Sequence, residues 1–220
     1  MDTDLVLTYS VYEDYPVVTR SARLVQKGNQ KIRLENVMSA AVEFPDMDYE
    51  MIHLSGAWAR ERYVKTRKLE MGIQAVQSLA GTGSSSEQNP FIALKRPHTT
   101  EDTGEVFGFS FVYSGNFLAQ VEVSTYEMTR VMMGINPQGF SWELSRDEEF
   151  QTPEVVMVYS DKGLNGMSQT FHKLYQKRLA RGYWRDRPRP ILNNNWEATY
   201  FDFTEERLVE IASKAKKCGV

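Results

Sequence analysis

The stretch PRPILNNNWEATYFDFTEERLVEIASKAKKCGV, residues Pro188–Val220, carries the signals of a strand, a loop and a helix in that order. The run from Ile191 to Asn194 is short, follows a proline and leads into Trp196. This pattern is typical of a buried parallel strand that opens onto a loop. A strand followed by a crossover helix predicts the first βα unit of an α/β domain.

The helix after this loop is signalled at both ends. Asp202 or Thr204 can cap its first turn, and Gly219 suits the position just after its last turn. Its apolar face is formed by Leu208, Ile211, Ala212 and Ala215. Val220 is then expected to begin a second strand.

A single βα unit cannot bury its own apolar faces, because a parallel pair needs its second strand and a barrel needs its whole ring. The sequence is therefore expected to be a fragment, with much of the protein beyond Val220. Its first residues pass directly into strand-like sequence, so the start is expected to be truncated as well.

The composition is that of an ordinary globular domain, with 41% hydrophobic and 12% aromatic residues in 220. A net charge of -3 argues against nucleic acid and against a polybasic membrane anchor. The apolar runs are too short to span a bilayer. The one cysteine, Cys218, excludes an internal disulfide and fits a cytoplasmic location.

Residues 1–160 consist mostly of alternating strands, such as Phe107, Phe109 and Phe111 separated by small residues. This predicts an antiparallel β-sandwich, with the polar stretch from Ala80 to Asn89 as an exposed loop. A linker helix is expected within residues 161–187, with one face formed by Met167, Phe171, Leu174, Tyr175 and Leu179. Residues 188–220 are expected to begin a truncated (β/α)8 barrel.

Residue types alone give little chemistry. His53, His98 and His172 lack metal-ligand spacing, so no metal or cofactor is predicted. The runs Asp147–Glu149 and Glu205–Glu206 fit turn and helix-dipole charges better than a catalytic pair.

Two tryptophans are candidates for sugar stacking. Trp196 follows the predicted barrel strand at its carboxyl end, where catalytic mouths lie, and is equally compatible with a core position. Tryptophan is more often packed in a core than exposed, so residue type alone favours a buried position for Trp58. The nearby Arg60 and Arg62 fit either a solvated strand or binding of hydroxyl or carboxylate groups.

Several long words resemble the bacterial α-galactosidases of glycoside hydrolase family 36. They run in order through the chain: LSGAWARERYVKTRKLEMGIQ (54–74), NPFIALKRP (89–97), VYSGNFLAQVEV (112–123), MGINPQGFSWEL (133–144), TPEVVMVYSDKGLNGMSQTFHKLY (152–175) and RPILNNNWEATYFDF (189–203). One departure is that residues 84–90 read SSSEQNP, where similar enzymes usually carry the histidine-bearing S-S-H-Q-H-N-P.

The resemblance implies a β-supersandwich, a linker helix and the start of a catalytic (β/α)8 barrel in a parent enzyme that is often a tetramer. It implies that Trp196 lines the galactose subsite and that Trp58 reaches a substrate site, which can lie across a subunit boundary. Substrates would be α-galactoside oligosaccharides such as melibiose and raffinose.

The implied mechanism is retaining hydrolysis by two aspartates about 5 Å apart. Both belong to later barrel strands, so no catalytic residue is assigned here and the fragment is expected to be inactive. A non-catalytic carbohydrate-binding or oligomerisation sandwich is the alternative, and a parent that acts on α-N-acetylgalactosaminides also stays open.

Overall fold

The computed structural model describes residues 2–81 and 84–220, and the fold is mainly antiparallel β. The strands are β1 Thr3–Val11, β2 Val17–Gln26, β3 Ile32–Leu34, β4 Met38–Phe44, β5 Glu50–Ala57, β6 Arg60–Lys68, β7 Gly72–Ser78, β8 Gln88–Lys95, β9 Val106–Phe111, β10 Phe117–Val123, β11 Thr129–Ile135, β12 Trp142–Leu144, β13 Glu149–Gln151 and β14 Val155–Ser160. The helices are α1 Ser84–Glu87, α2 Gly163–Leu174, α3 Trp196–Thr199 and α4 Glu205–Lys217, with a π-helical turn at Tyr175–Leu179. The predicted fold class is confirmed.

Two antiparallel sheets form the sandwich. The larger runs β1-β2-β14-β9-β8-β5-β6, with β13 also paired to β2, and the smaller runs β4-β11-β10-β7. A separate two-stranded sheet pairs β12 with β3. Because β1 and β6 end the path of the larger sheet, each has one edge without a neighbouring strand among residues 2–81 and 84–220.

Sequence alternation sets the core. In β10, Phe117, Ala119, Val121 and Val123 are buried, whereas the residues between them are partly exposed. They pack in one hydrophobic cluster with residues of the larger sheet such as Ile92. The period-2 pattern therefore places alternate side chains on the inner face, as expected for a sheet with one covered face.

Arg96 ties three segments together at the end of β8. Its guanidinium donates hydrogen bonds to Asp46 (2.6 Å) and Glu105 (3.1 Å) and lies 3.9 Å from the centroid of the Tyr49 ring. The hydrogen bond from Arg96 lowers the pKa of Asp46, and burial raises the pKa of Tyr49 to about 12.

Replacement of Arg96 by methionine is expected to cost about 1–2 kcal/mol of unfolding free energy at pH 7, with the lower end favoured because solvent screens the pair. Asp46 has a lowered pKa in the folded state, so its contribution is present above its unfolded pKa and is lost as the pH falls through the lowered value. The difference in unfolding free energy between variant and wild type should thus shrink below about pH 4 in urea titrations.

The exposed Arg130, paired with Glu43, is the control, and Arg130→Met should change the unfolding free energy little. A pH-independent loss in Arg96→Met would contradict this account.

The chain divides into two compact units, Met1–Leu174 and Tyr175–Val220. Helix α2 belongs to the first and buries Met167, Phe171 and Leu174. Gly108 in β9 permits this packing, because a methyl group there would come within 2.6 Å of Phe171 Cε2 and 2.7 Å of Met167 Sδ.

In the second unit, helix α4 has the predicted ends. Thr204 is the N-cap, and its hydroxyl accepts a hydrogen bond from the Arg207 N–H. At the other end Gly219 has φ +89°, while the N–H groups of Gly219 and Val220 donate to Lys216 and Ala215. These bonds form a Schellman motif.

The predicted strand at Ile191–Asn194 is wrong for this chain. These residues belong to no strand, and Ile191 and Leu192 are 74% and 89% exposed. A parallel strand needs a neighbour for its backbone hydrogen bonds, and none of the described residues pairs with this segment. The expectation that Val220 begins a second strand stays a prediction.

The predicted loop at Ala80–Asn89 is also partly wrong. Ser84–Glu87 forms the single turn α1, and Gln88 and Asn89 begin β8. Thr82 and Gly83 lie outside the described residues. Gln88 is paired with Ser55 of β5, so pairing across the sheet overrides the polar local composition.

Candidate functional sites

A tight hairpin joins β5 to β6 and presents Trp58. Ala57 pairs with Arg60, which leaves Trp58 and Ala59 as the connection, and Ala59 has φ +61°. Gly56 is required by close approach, since a methyl group there would lie 2.2 Å from the Arg60 carbonyl oxygen. The Trp58 side chain is 81% exposed, so core packing, expected from residue type alone, is wrong for it.

Gly56→Ala is expected to open this hairpin, because the clash is with backbone and not with a flexible side chain. We expect a destabilisation of about 2 kcal/mol or more and a changed Trp58 environment, measured by urea unfolding and by nuclear magnetic resonance of the indole N–H. Gly28 is the matched control, because a methyl group there meets its nearest atom at 3.4 Å. Equal effects of Gly56→Ala and Gly28→Ala would contradict the role of Gly56.

A cavity of about 500 Å³ lies beside the hairpin and is here called the hairpin cavity. It is lined by Ser55, Gly56, Ala57, Arg60, Tyr63, Lys65 and Gln88. Ser55 and Tyr63 are directly opposite each other in the β5–β6 register, and so are His53 and Lys65. Because opposite residues share a face, these four side chains lie on one face of the sheet.

His53 is 6% exposed and lies on this same face, opposite the lining residue Lys65 but outside the lining of the cavity. Its Nε2 is 2.7 Å from Nη2 of Arg67, and since a guanidinium only donates, Nε2 accepts and Nδ1 carries the proton of the neutral ring. Burial first, and then the charge of Arg67, lower the pKa of His53. Nδ1 of His53 and Oε1 of Gln88 are buried and make no hydrogen bond of good geometry among the described residues, although the Gln88 side chain acts on the ring and raises the pKa of His53.

Trp196 lies in the second unit, at the start of α3, and is 42% exposed. Its ring makes edge contacts with Tyr200 (5.5 Å between centroids) and Phe201 (4.8 Å). The Asn194 side chain accepts a hydrogen bond from the backbone N–H of Trp196, and the Asn195 side chain donates to the Thr199 hydroxyl. The aromatic contacts thus orient a half-exposed indole, and the amide hydrogen bonds stabilise the backbone at the start of α3.

The acidic runs have structural partners. Glu148 accepts from the Ser145 N–H at 2.7 Å, and Glu149 pairs with Arg23 at 2.8 Å. Glu206 follows the Thr204 cap, where hydrogen bonds from the helix start lower its pKa. Over residues 2–81 and 84–220 there is no group of three or more His, Cys, Asp or Glu arranged to hold a metal ion. Over the same residues, the helices are all too short or too polar to cross a bilayer.

Inspection of the sequence missed the hairpin cavity. Alternation predicts that Tyr63 and Lys65 share a face of β6, but the partners Ser55 and Gln88 become visible only through the β5–β6 and β5–β8 registers. The departure at residues 84–90 was the one usable signal, because Gln88 belongs to it.

Comparison with known proteins gives concordant matches along the chain. A model described as the glycosyl hydrolase family 36 N-terminal domain matches residues 1–145, and a melibiase model matches residues 149–220. Alpha-galactosidase AgaA of Geobacillus stearothermophilus is 58% identical over 217 residues, which is 99% of this chain and 30% of that protein. Alpha-galactosidase Mel36A of Lactobacillus acidophilus is 47% identical over 214 residues, 97% of this chain and 29% of that protein.

Crystal structures of α-galactosidases superpose on the chain over nearly its whole length. The crystal structure of AgaA superposes with a TM-score of 0.95 at 57% identity, covering 99% of this chain and 30% of that one. An AgaA variant crystallised with stachyose superposes with a TM-score of 0.94 at 57% identity, over 99% of this chain and 30% of that one. Another, crystallised with raffinose, gives 0.91 at 58% identity, over 96% and 29%. The chain therefore spans about 30% of the length of these proteins.

Proposed function

Because the chain belongs to glycosyl hydrolase family 36, we propose that it is part of a longer retaining α-galactosidase that removes terminal α-linked galactose from oligosaccharides of the melibiose and raffinose type. The observation that carries the proposal is 58% identity to an α-galactosidase over 99% of this chain. Residues 1–160 would be sandwich, 161–187 the connection, and 188–220 the start of a catalytic barrel.

In this proposal Trp196 stacks on the galactose ring. Its half-exposed indole offers an apolar face to the C–H groups of a sugar, while edge contacts from Tyr200 and Phe201 fix its orientation. Trp58, on a hairpin and largely exposed, would contact the more distant part of an oligosaccharide, in the same or a neighbouring subunit of a homo-oligomer.

The chain supplies binding groups and no catalytic pair. Retaining hydrolysis needs a nucleophilic carboxylate and an acid–base carboxylate about 5 Å apart. In the family to which the chain belongs both are expected on later barrel strands, so both catalytic groups would come from the rest of the protein. The 220-residue chain alone should therefore not hydrolyse α-galactosides. A cytoplasmic location is kept as part of the proposal, on the single free Cys218.

The test is to express the product of the complete reading frame and assay release of galactose from melibiose and raffinose, beside the 220-residue chain. We expect hydrolysis by the longer product with retained anomeric configuration, and none by the shorter. A longer product that cleaves only α-N-acetylgalactosaminides would correct the substrate, and one with no glycosidase activity would overturn the proposal.

The second candidate is a non-catalytic carbohydrate-binding or oligomerisation sandwich. Two observations favour it: Trp58 is exposed, and the described residues that line the hairpin cavity include no carboxylate. Saturable binding of raffinose by a complete product that lacks hydrolysis would support this alternative.

A further inference from the structure

We propose that the hairpin cavity is an anion-binding site that takes one phosphate or carboxylate group of a small molecule. The inference does not depend on the proposed hydrolysis, because it rests on the charge and geometry of β5, β6 and Gln88 alone.

The first argument is uncompensated positive charge. Strand β6 reads RERYVKTRK, with five basic residues and one glutamate. Among the described residues none of the five is within ion-pair distance of a carboxylate, whereas Arg23, Lys31 and Arg130 elsewhere on the sandwich each have an acidic partner. Arg60 and Lys65 line the cavity, and none of the described residues that line it is Asp or Glu. An anion is the ligand that such a lining attracts.

Protection of a sheet edge against association would explain charge on β6, because lysines commonly serve that purpose. It does not explain the difference between the two free edges of the sheet or the presence of the cavity. The other free edge of the larger sheet, β1, reads TDLVLTYSV and carries only one acidic and no basic side chain, so a charged edge is not a general feature of this sheet. Nor does edge protection require a cavity of about 500 Å³.

The second argument is the set of hydrogen-bonding groups in the cavity and on the adjacent His53. Ser55, Tyr63 and Gln88 add hydroxyl and amide donors to the two cations of the lining. Directly opposite Lys65, the buried His53 has an Nδ1–H that interacts with the Gln88 side chain but makes no hydrogen bond of good geometry among the described residues. Nε2 of His53 already accepts from Arg67, so the ring offers no free acceptor to the site. Hydrogen-bond donors therefore outnumber acceptors in and beside the cavity.

The third argument is that the site is fixed in place. Ala59 and Arg62 both have positive φ, +61° and +62°, and Gly56 packs directly on the Arg60 backbone. Such conformations cost free energy and are retained where the surrounding structure holds them, often at ligand clamps. The cavity is built on paired strands, which position side chains more precisely than loops do.

The experiment titrates the 220-residue chain with sodium phosphate at constant ionic strength set by sodium chloride, followed by amide chemical shifts. We expect saturable shifts at residues 55–65 and 88, with a dissociation constant on the order of millimolar. Lys65→Gln and Arg60→Gln should each weaken binding about fivefold, while Lys68→Gln, on the same strand but outside the cavity lining, should change it less than about twofold. Retained shift dispersion shows that each variant is folded.

The pKa of His53 provides a second measurement of anion binding. Burial, Arg67 and Lys65 lower its pKa, and the Gln88 side chain acts in the opposite direction. A bound anion beside Lys65 stabilises the imidazolium, so phosphate should raise the pKa of His53 in wild type and not in Lys65→Gln. Shifts equal to those caused by chloride, or equal weakening in Lys68→Gln, would overturn the proposal.

Parallel titrations identify the ligand class. Galacturonate in competition with phosphate would assign a carboxylate-bearing sugar, and no competition would restrict the site to phosphate. Saturable binding of neutral raffinose at these residues without phosphate binding would overturn the anion assignment. It would leave the proposed glycosidase function untouched, because hydrolysis by the complete product is measured separately.

Discussion

Replacing Phe117 by alanine should lower the free energy of unfolding of the chain by about 3–5 kcal/mol, among the largest effects available to a single substitution. Phe117 is fully buried in β10, in the cluster where both sheets of the sandwich meet. Truncation removes apolar burial and leaves a cavity that the surrounding strands cannot fill. Urea unfolding followed by circular dichroism measures the change.

Tyr126→Ala is the matched control, because this aromatic side chain is 85% exposed on a turn. It should alter the unfolding free energy by less than about 0.5 kcal/mol. If Phe117→Ala cost no more than Tyr126→Ala, the assignment of the sandwich core would be wrong.

Replacing Trp196 by alanine in the complete protein should reduce kcat/KM for raffinose about 30-fold, which corresponds to about 2 kcal/mol of lost transition-state binding. The reason is loss of an oriented aromatic face against the galactose ring, and the measurement is steady-state release of galactose. Trp184→Ala is the control, because Trp184 is 41% exposed and lies in the same unit outside the N-W-E-A-T-Y motif.

Trp184→Ala should leave kcat/KM within about twofold of wild type. Equal losses in the two variants would assign the effect of Trp196→Ala to folding of the unit and remove Trp196 from the substrate site. That result would not bear on whether the complete protein hydrolyses raffinose, because hydrolysis is measured separately with the wild type.

Local signals in the sequence predicted the elements whose structure is decided locally. The Thr204 cap and the Gly219 C-terminal motif depend on backbone groups within one or two turns, so the letters alone suffice. The alternation of β10 likewise determines which side chains are buried.

Predictions failed where structure depends on a partner distant in sequence. Ile191–Asn194 has the composition of a buried strand but no strand to pair with among the described residues. Gln88 and Asn89 look like loop residues, yet β5 and β9 recruit their strand into the larger sheet. Trp58 is exposed because Gly56 and Ala59 turn the chain tightly, a geometry that residue type does not reveal.

The packing of α2 on Gly108 bears on how this protein should be trimmed for crystallisation or domain-swap work. A cut after residue 160, where the strand-rich sequence ends, would remove Met167 and Phe171 and leave the β9 surface around Gly108 open to water. A cut after Leu174 keeps the helix as a lid on its sheet and falls where the two compact units separate. The close packing of α2 on Gly108 thus favours Leu174 over residue 160 as the end of an isolated sandwich.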